Sequence, residues 1–125
     1  MANRLSRLEF QVMDALWDRG QLSIREIQEE IPARKTPAYT TVQTTVYRME
    51  AKGILRRVRK VGNFHVFEAA ITRETAQRSV VDDLLGYFGG RGHLLMAHLV
   101  KSGKLSLSDV REAEKLLKGH RRRGE

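Results

Sequence analysis

The fold of this chain is decided by residues 38–53, which read AYTTVQTTVYRMEAKG. Six of these residues are β-branched and fall within seven consecutive positions, a composition that by itself favours a strand. The apolar spacing favours a helix, because Val42, Val46 and Met49 recur at the i, i+4 and i+7 positions of one helical face. Gly53 then supplies a C-terminal stop signal. We therefore predict a helix whose opposite face is hydroxylated and basic.

Two further helices are predicted before this one. Residues 6–9 (SRLE) and 23–26 (SIRE) each have the form of a capping box, in which a serine hydroxyl and a carboxylate satisfy backbone donors reciprocally. The first helix is expected to end at Gly20, and the second is stopped by Pro32. A short polar link should join them. Trp17 lies on the apolar stripe of the first helix, and we interpret it as a core residue.

After the threonine-rich helix the apolar period changes. Residues 54–60 and 64–68 are typical of strands, and Gly62-Asn63 between them is a hairpin signal. Three helices followed by a basic β-hairpin is the order of a winged helix-turn-helix, in which the third helix enters the major groove and the hairpin, or wing, lies along the flanking backbone. We therefore predict a winged helix-turn-helix DNA-binding domain over residues 1–71.

The rest of the chain predicts three more helices, which makes the fold class mainly α. Apolar residues recur at helical spacing over 73–88, 93–101 and 106–119. Helices of this total length cannot bury all their leucines in a core of their own, so we predict a three-helix dimerisation domain over residues 72–119. The alternative is a monomer in which these helices fold back on the first domain. Residues 120–125 are expected to be a disordered basic tail.

Charge points to a polyanionic partner. The formal net charge is +8 and the pI is about 10.3. Between Arg48 and Lys60 there are six basic residues, opposed within that stretch only by Glu50. We interpret this cluster as a binding surface.

Composition excludes several classes of function. The 125 residues contain no cysteine, which removes disulfides, thiolate metal sites and cysteine nucleophiles and fits a cytoplasmic protein. No apolar run is long enough for membrane insertion. His93 and His98 do not share a helical face, and no cysteine or carboxylate completes a ligand set with them, so neither a metal site nor a cofactor is expected. We predict that the chain is not an enzyme.

Two groups of polar residues are the candidate DNA contacts. A threonine hydroxyl can hydrogen-bond a phosphate or a base edge, and its methyl group can touch a thymine methyl. On the third helix, the N-terminal threonines are predicted to reach base edges, and the residues after them to reach phosphates or flanking bases. The wing group is predicted to contact the backbone or the minor groove. The predicted contacts are, on the helix, Thr40, Thr41, Thr44, Tyr47 and Arg48 and, in the wing, Arg59, Lys60 and Asn63.

Three neighbouring residues are interpreted differently. Thr45 lies nearer the apolar stripe, where its hydroxyl can bond back to the helix. Arg56 and Arg57 point to opposite sides of their strand, so at most one of them should face DNA.

Several motifs together resemble one family. The stretches at residues 22–27 (LSIREI), 38–44 (AYTTVQT), 52–55 (KGIL) and 102–106 (SGKLS) are similar to the BlaI/MecI/CopY family of bacterial repressors, the penicillinase repressor family. The resemblance covers residues 5–118. It implies a homodimeric winged-helix repressor that binds a double-stranded DNA operator with dyad symmetry. By this resemblance, the family's recognition-helix positions are Thr40, Thr41, Thr44 and Arg48.

The sequence departs from the family in the parts that receive signals. The copper-responsive branch uses cysteine pairs, which this chain lacks. The antibiotic-responsive branch is cleaved at an Asn-Phe bond and works with a membrane sensor protease. The corresponding position here is His98-Leu99, which argues against regulatory cleavage at this bond. The family often has Gly-Arg in the wing where this chain has Gly62-Asn63, so the wing contacts are expected to be weaker or shifted.

Another class of function stays open. A winged helix can also act as a protein–protein interaction module whose basic face binds an acidic partner. RNA binding is disfavoured, because the exposed helix offers only Tyr47 to stack on splayed bases.

Overall fold

The structure is a computed structural model that describes residues 5–32, 34 and 36–124, with side chains as far as residue 120. The chain divides into two compact units, Met1–Asp82 and Asp83–Glu125. The architecture is mainly helical, with one small antiparallel sheet. The division falls inside a helix and not at the predicted boundary between residues 71 and 72.

Three helices and three short strands form most of the first unit. Their order is that of the predicted helices and hairpin with one strand added, and it fits a winged helix. The elements are α1 (Arg7–Arg19), β1 (Gln21–Ser23), α2 (Ile24–Glu30), α3 (Tyr39–Ala51), β2 (Leu55–Val61) and β3 (Phe64–Ala69).

Both predicted capping boxes are confirmed. At the start of α1, the backbone N–H of Ser6 donates to the Glu9 carboxylate over 2.9 Å, and the Glu9 N–H donates to the Ser6 hydroxyl over 3.2 Å. Ser23 and Glu26 exchange the same pair of bonds at the start of α2. These bonds satisfy backbone donors that a helix start leaves without an intrahelical partner.

Helix α3 forms in spite of its β-branched composition, because its apolar stripe is buried. Val42, Val46 and Met49 are completely inaccessible to solvent. Thr45 is also buried, and its hydroxyl donates to the Thr41 carbonyl over 2.8 Å, as predicted. Burial of these side chains outweighs the few tenths of a kcal/mol by which each β-branched residue disfavours a helix.

The link between α1 and α2 is a strand, so the prediction of a simple polar link is wrong. Strand β1 pairs antiparallel with β3, which places Leu22 opposite Phe67, and the sheet order is β1-β3-β2. Leu22 and Phe67 are both buried. A three-residue strand is too short to show an alternating pattern in the sequence. The hairpin β2–β3 (the wing) is therefore joined to the helices through its second strand.

The core of the first unit is one apolar cluster, and Trp17 belongs to its margin. The Trp17 side chain is half-buried, packs against this cluster and donates its indole N–H to the Ile71 carbonyl over 2.9 Å. Trp17 therefore packs against the core, as its place on the apolar stripe predicts, but is not one of the buried core residues. The fully buried side chains include Met13, Leu16, Ile27, Val46, Ile54 and Phe67.

Helix α4 (Arg73–Gly86) begins in the first unit, which explains where the division falls. Its Ala76 is buried, and its Arg73 guanidinium lies 2.7 Å from the Asp18 carboxylate on α1. The first turns of α4 therefore pack with α1. The second unit contains the end of α4, helix α5 (Gly92–Lys101) and helix α6 (Leu107–Gly124), which is the longest of the three.

Helix α6 continues to Gly124, so the predicted end at Gly119 and the disordered tail after it are wrong. A glycine inside a helix costs only about 1 kcal/mol relative to alanine, too little to stop a helix by itself. Glu125 lies outside the described residues. None of the helices in the described part of the chain combines the length and the hydropathy that crossing a bilayer requires.

Replacing Phe67 with alanine should lower the free energy of unfolding by about 3–5 kcal/mol, because a buried phenylalanine at the centre of the sheet would leave a cavity. Urea denaturation followed by circular dichroism measures this change. The matched control is Phe64→Ala on the same strand. The Phe64 side chain is 48% exposed, and this change should cost less than about 1 kcal/mol. Equal losses in the two variants would contradict the assignment of Phe67 to the core.

Candidate nucleic-acid interface

One side of α3 carries four of the predicted contacts together. Thr40, Thr41, Thr44 and Arg48 are all exposed, and with Thr45 they line a shallow groove of about 310 Å³. Residues four apart on a helix are neighbours on its surface, so three hydroxyl groups and one guanidinium converge there. We refer to this surface as the threonine groove. Its groups can donate to phosphates and to base acceptors.

Tyr47 lies on another side of α3, toward the wing. It lines a cavity of about 420 Å³ together with Asn63 from the hairpin turn. We call this space between α2, α3 and the wing the wing cavity. The structure thus brings Tyr47 and Asn63 together but separates them from the threonine groove. The half-buried Gln43 and His65 also line the wing cavity, and neither was singled out from the sequence.

Three of the six clustered cations are neutralised by carboxylates. The Arg57 guanidinium forms two bonds to Glu50, of 2.9 and 3.0 Å. The two remaining pairs are Arg56 with Glu68 at 2.7 Å and Lys52 with Glu9 at 3.6 Å. Both Arg56 and Arg57 thus have carboxylate partners, and that at most one of them faces DNA stays a prediction.

The other three cations keep their charge available. Arg59 donates to the neutral side chain of Gln21, which does not compensate its charge. Arg48 and Lys60 are exposed, and within the described residues neither has an ion-pair partner. These are three of the predicted DNA contacts. An anion that approaches α3 and the wing would therefore meet Arg48, Arg59 and Lys60.

The sequence shows only part of this pairing. Glu50 lies within the basic stretch, whereas Glu9 and Glu68 come from outside it. The strand register places Arg56 directly opposite Glu68, so the hairpin alone could have revealed that pair. No sequence signal links Lys52 to Glu9, because the two residues meet only through the packing of α1 against α3.

The candidate cleavage position lies inside α5. The carbonyl of His98 accepts the backbone N–H of Ser102 over 3.0 Å, and that of Leu99 accepts the N–H of Lys104 over 2.9 Å. The His98 ring also contacts Phe88, with centroids 5.5 Å apart. Both carbonyls are therefore engaged in the hydrogen bonds that end this helix. For the described residues, no three His, Asp or Glu side chains lie close enough together to hold a metal ion.

Comparisons with known proteins point to one group. The penicillinase repressor family model matches residues 5–119. The penicillinase repressor of Staphylococcus aureus is 26% identical over 121 residues, which cover 94% of this chain and 95% of that protein. Transcriptional regulator BlaI of Mycobacterium tuberculosis is 40% identical over 57 residues, or 45% of this chain. That match spans only 41% of the mycobacterial protein.

A solved structure is a weaker match. It concerns the regulation of DNA binding of Bordetella bronchiseptica BpsR by 6-hydroxynicotinic acid, and it covers 93% of this chain and 79% of that one. The identity is 17% and the TM-score 0.48, a likeness too low to carry an argument. The family model and the curated relatives describe transcription regulators, which confirms the prediction that the chain is not an enzyme.

Replacing Arg56 with alanine should raise the pKa of the Glu68 carboxyl. The hydrogen bond from Arg56, followed by that from Gln21, holds this pKa below its ordinary value of 4.5. A lowered folded-state pKa stabilises the fold above pH 4.5, and this stabilisation is lost as the pH falls through that pKa. An NMR titration of the Glu68 carboxyl carbon should show the midpoint moving toward 4.5. In the control Arg57→Ala the midpoint should not move, because Arg57 pairs with Glu50; a shift there would contradict the pairing.

Proposed function

The chain belongs to the penicillinase repressor family, and from this membership we propose that it is a sequence-specific repressor that binds a dyad-symmetric operator as a homodimer. In this proposal residues 1–71 are a winged helix-turn-helix DNA-binding domain, with α3 as the recognition helix. The protein would act in the cytoplasm, on double-stranded DNA. The single observation that carries the proposal is the threonine groove, which the exposed Arg48 helps to line.

The side chains of α3 and the wing suggest a division of roles in DNA binding. Hydroxyl groups of Thr40, Thr41 and Thr44 are short and can lie against base edges in the major groove. Arg48 carries a full charge and suits a phosphate, which fixes register without reading sequence. Arg59, Lys60 and Asn63 on the wing are proposed to contact the flanking backbone, and Tyr47 a neighbouring phosphate or sugar.

The second unit supports the proposal of a dimer. Within residues 83–120, whose side chains the structure describes, no residue is buried. Soluble monomers rarely leave so much apolar surface in contact with water, and a second copy would cover it. The exposed apolar side chains there include Leu84, Tyr87, Met96, Val100, Leu107, Leu116 and Leu117.

Dimerisation would also explain how operator binding ends. In a dimer the two DNA-binding domains are linked, so binding of one raises the effective concentration of the other at the DNA. The affinity for DNA rises about 10²–10⁴-fold, and this gain disappears when the dimer separates. A membrane sensor protease would be one way to separate it. To cut at His98-Leu99 it would have to unwind α5 first, because both carbonyls are hydrogen-bonded.

The alternative function is a protein–protein interaction module whose basic face binds an acidic partner. The salt dependence of the affinity for duplex DNA distinguishes a DNA-binding protein from an interaction module, because each phosphate contact releases a counterion. A DNA-binding protein should bind a random-sequence duplex at low salt, and its affinity should fall steeply and linearly on a log–log plot. An interaction module should show little affinity for the same duplex.

The change Arg48→Glu should weaken binding to duplex DNA about tenfold or more and should reduce the salt slope by about one. Fluorescence anisotropy with a labelled duplex measures both quantities. The matched control is Arg7→Glu on α1, an exposed position with the same charge change and no predicted contact. Urea denaturation of each variant checks that folding is unaffected. Equal weakening by the two changes would mean that net charge, and not the α3 surface, governs binding.

The change Val100→Asp should convert the dimer into a monomer, because it places a charge on the exposed apolar surface of α5. Sedimentation at micromolar concentration should give twice the chain mass of 14.3 kDa for the unmodified protein and that mass for the variant. The control is Val61→Asp on the wing, which should remain a dimer. An unmodified chain that sediments as a monomer would refute the dimer.

A further inference from the structure

We propose that the wing cavity binds a small organic cation that carries an aromatic group. The cavity lies inside the first unit, where α2, α3 and the wing meet. Its volume of about 420 Å³ is within the range of about 300–1,000 Å³ that is usual for small-molecule sites. Its floor includes Ile24 and Phe67 of the hydrophobic core, and its other lining residues come from the end of β1, α2, α3 and the wing.

Aromatic rings form its walls. Tyr39 and Tyr47 come from α3, and Phe64 comes from the facing wing strand. The Phe64 side chain is 48% exposed, and the Tyr47 side chain is 43% exposed. Rings contributed by two elements can enclose a guest, and the negative faces of such rings attract ammonium groups. The same chemistry already operates within the protein. The Arg25 guanidinium lies 5.4 Å from the centre of the Tyr39 ring, and the Arg57 guanidinium, which is paired with Glu50, lies 5.5 Å from that of Tyr47 and 5.2 Å from that of Phe67. The guest would therefore use the Phe64 ring and the free faces of the tyrosines.

Charge selects a cation over an anion. Two carboxylates, of Glu26 and Glu29, line the cavity together with one guanidinium, that of Arg25. Glu26 caps α2, and Glu29 has no ion-pair partner in the part of the chain that the structure describes. With His65 neutral, the lining carries a net negative formal charge in a protein whose overall charge is +8. Such a lining attracts a cation.

Occupancy of this cavity would interfere with DNA binding, an inference that rests on the proposed function. Tyr47 and Asn63 line the cavity and are also two of the proposed DNA contacts. A guest held between them would occupy the space between α3 and the wing and would compete with the DNA backbone for both side chains. The wing cavity would thus be the place where a chemical signal releases the operator.

The test uses the full chain without DNA and benzyltrimethylammonium as the probe. Isothermal titration should show saturable binding of one probe per chain, and the charge-reversed phenylmethanesulfonate should not bind. Phe64→Ala and Glu29→Gln should each weaken binding about threefold or more, because one removes a ring and the other a carboxylate. The matched controls Val61→Ala, on the wing, and Glu112→Gln, on α6, should bind like the unmodified chain.

The outcomes test the binding site and the release of DNA separately. Absence of binding, or equal binding by all four variants, would overturn the site. Equal affinity for both probes would overturn the selection for a cation. Binding without displacement of a labelled duplex by the probe would leave the site standing and overturn the release step. A chain that binds the probe but no duplex would refute the proposed function and leave the site intact.

Discussion

The pairing of β1 with β3 is the contact on which the first unit depends. It places Leu22 opposite Phe67 and so ties the wing to the segment between α1 and α2. A two-stranded hairpin is only marginally stable by itself, and a third strand with a buried face makes it part of the core. The positions of Asn63 and the wing cations relative to α3 follow from this pairing. Strand β1 therefore fixes the position of the wing relative to α3, although it contributes only Gln21 and Ser23 to the surface that the wing and α3 form.

Electrostatics on this surface depend on pairing more than on composition. The chain is strongly basic, yet Arg56, Arg57 and Lys52 are neutralised by Glu68, Glu50 and Glu9. The two arginine pairs are partly exposed, and pairs of this kind add little stability, about 0–1 kcal/mol each, so their main effect is on where charge remains. The cations of the basic cluster whose charge is not compensated are Arg48 at the threonine groove and Arg59 and Lys60 on the wing. At the wing cavity, Glu26 and Glu29 add two negative charges and Arg25 one positive charge.

The sequence predicts the helices and the hairpin well, because long apolar stripes and capping boxes are local signals. The sequence does not predict features that depend on contacts between residues far apart along the chain. Strand β1 is too short to have a period, and the boundary within α4 depends on the packing of Ala76 and Arg73 with α1. At the candidate interface, the eight predicted residues are all exposed, but the sequence could not separate the threonine groove from the wing cavity. The helical period by itself puts Tyr47 about 100° from Arg48. What it could not show is that the wing packs on the Tyr47 side of α3 and forms a cavity there.

The burial pattern of α3 has an evolutionary consequence. Val42, Val46 and Met49 are committed to the core, whereas the side chains of Thr40 and Thr44 contribute nothing to it. Substitutions on the exposed side can therefore accumulate without loss of the fold, as long as the helix tolerates them. A lineage could in this way acquire preference for a different operator in a few steps, each nearly neutral for stability. On α3, the residues that maintain the fold are therefore different from those that would determine the DNA target.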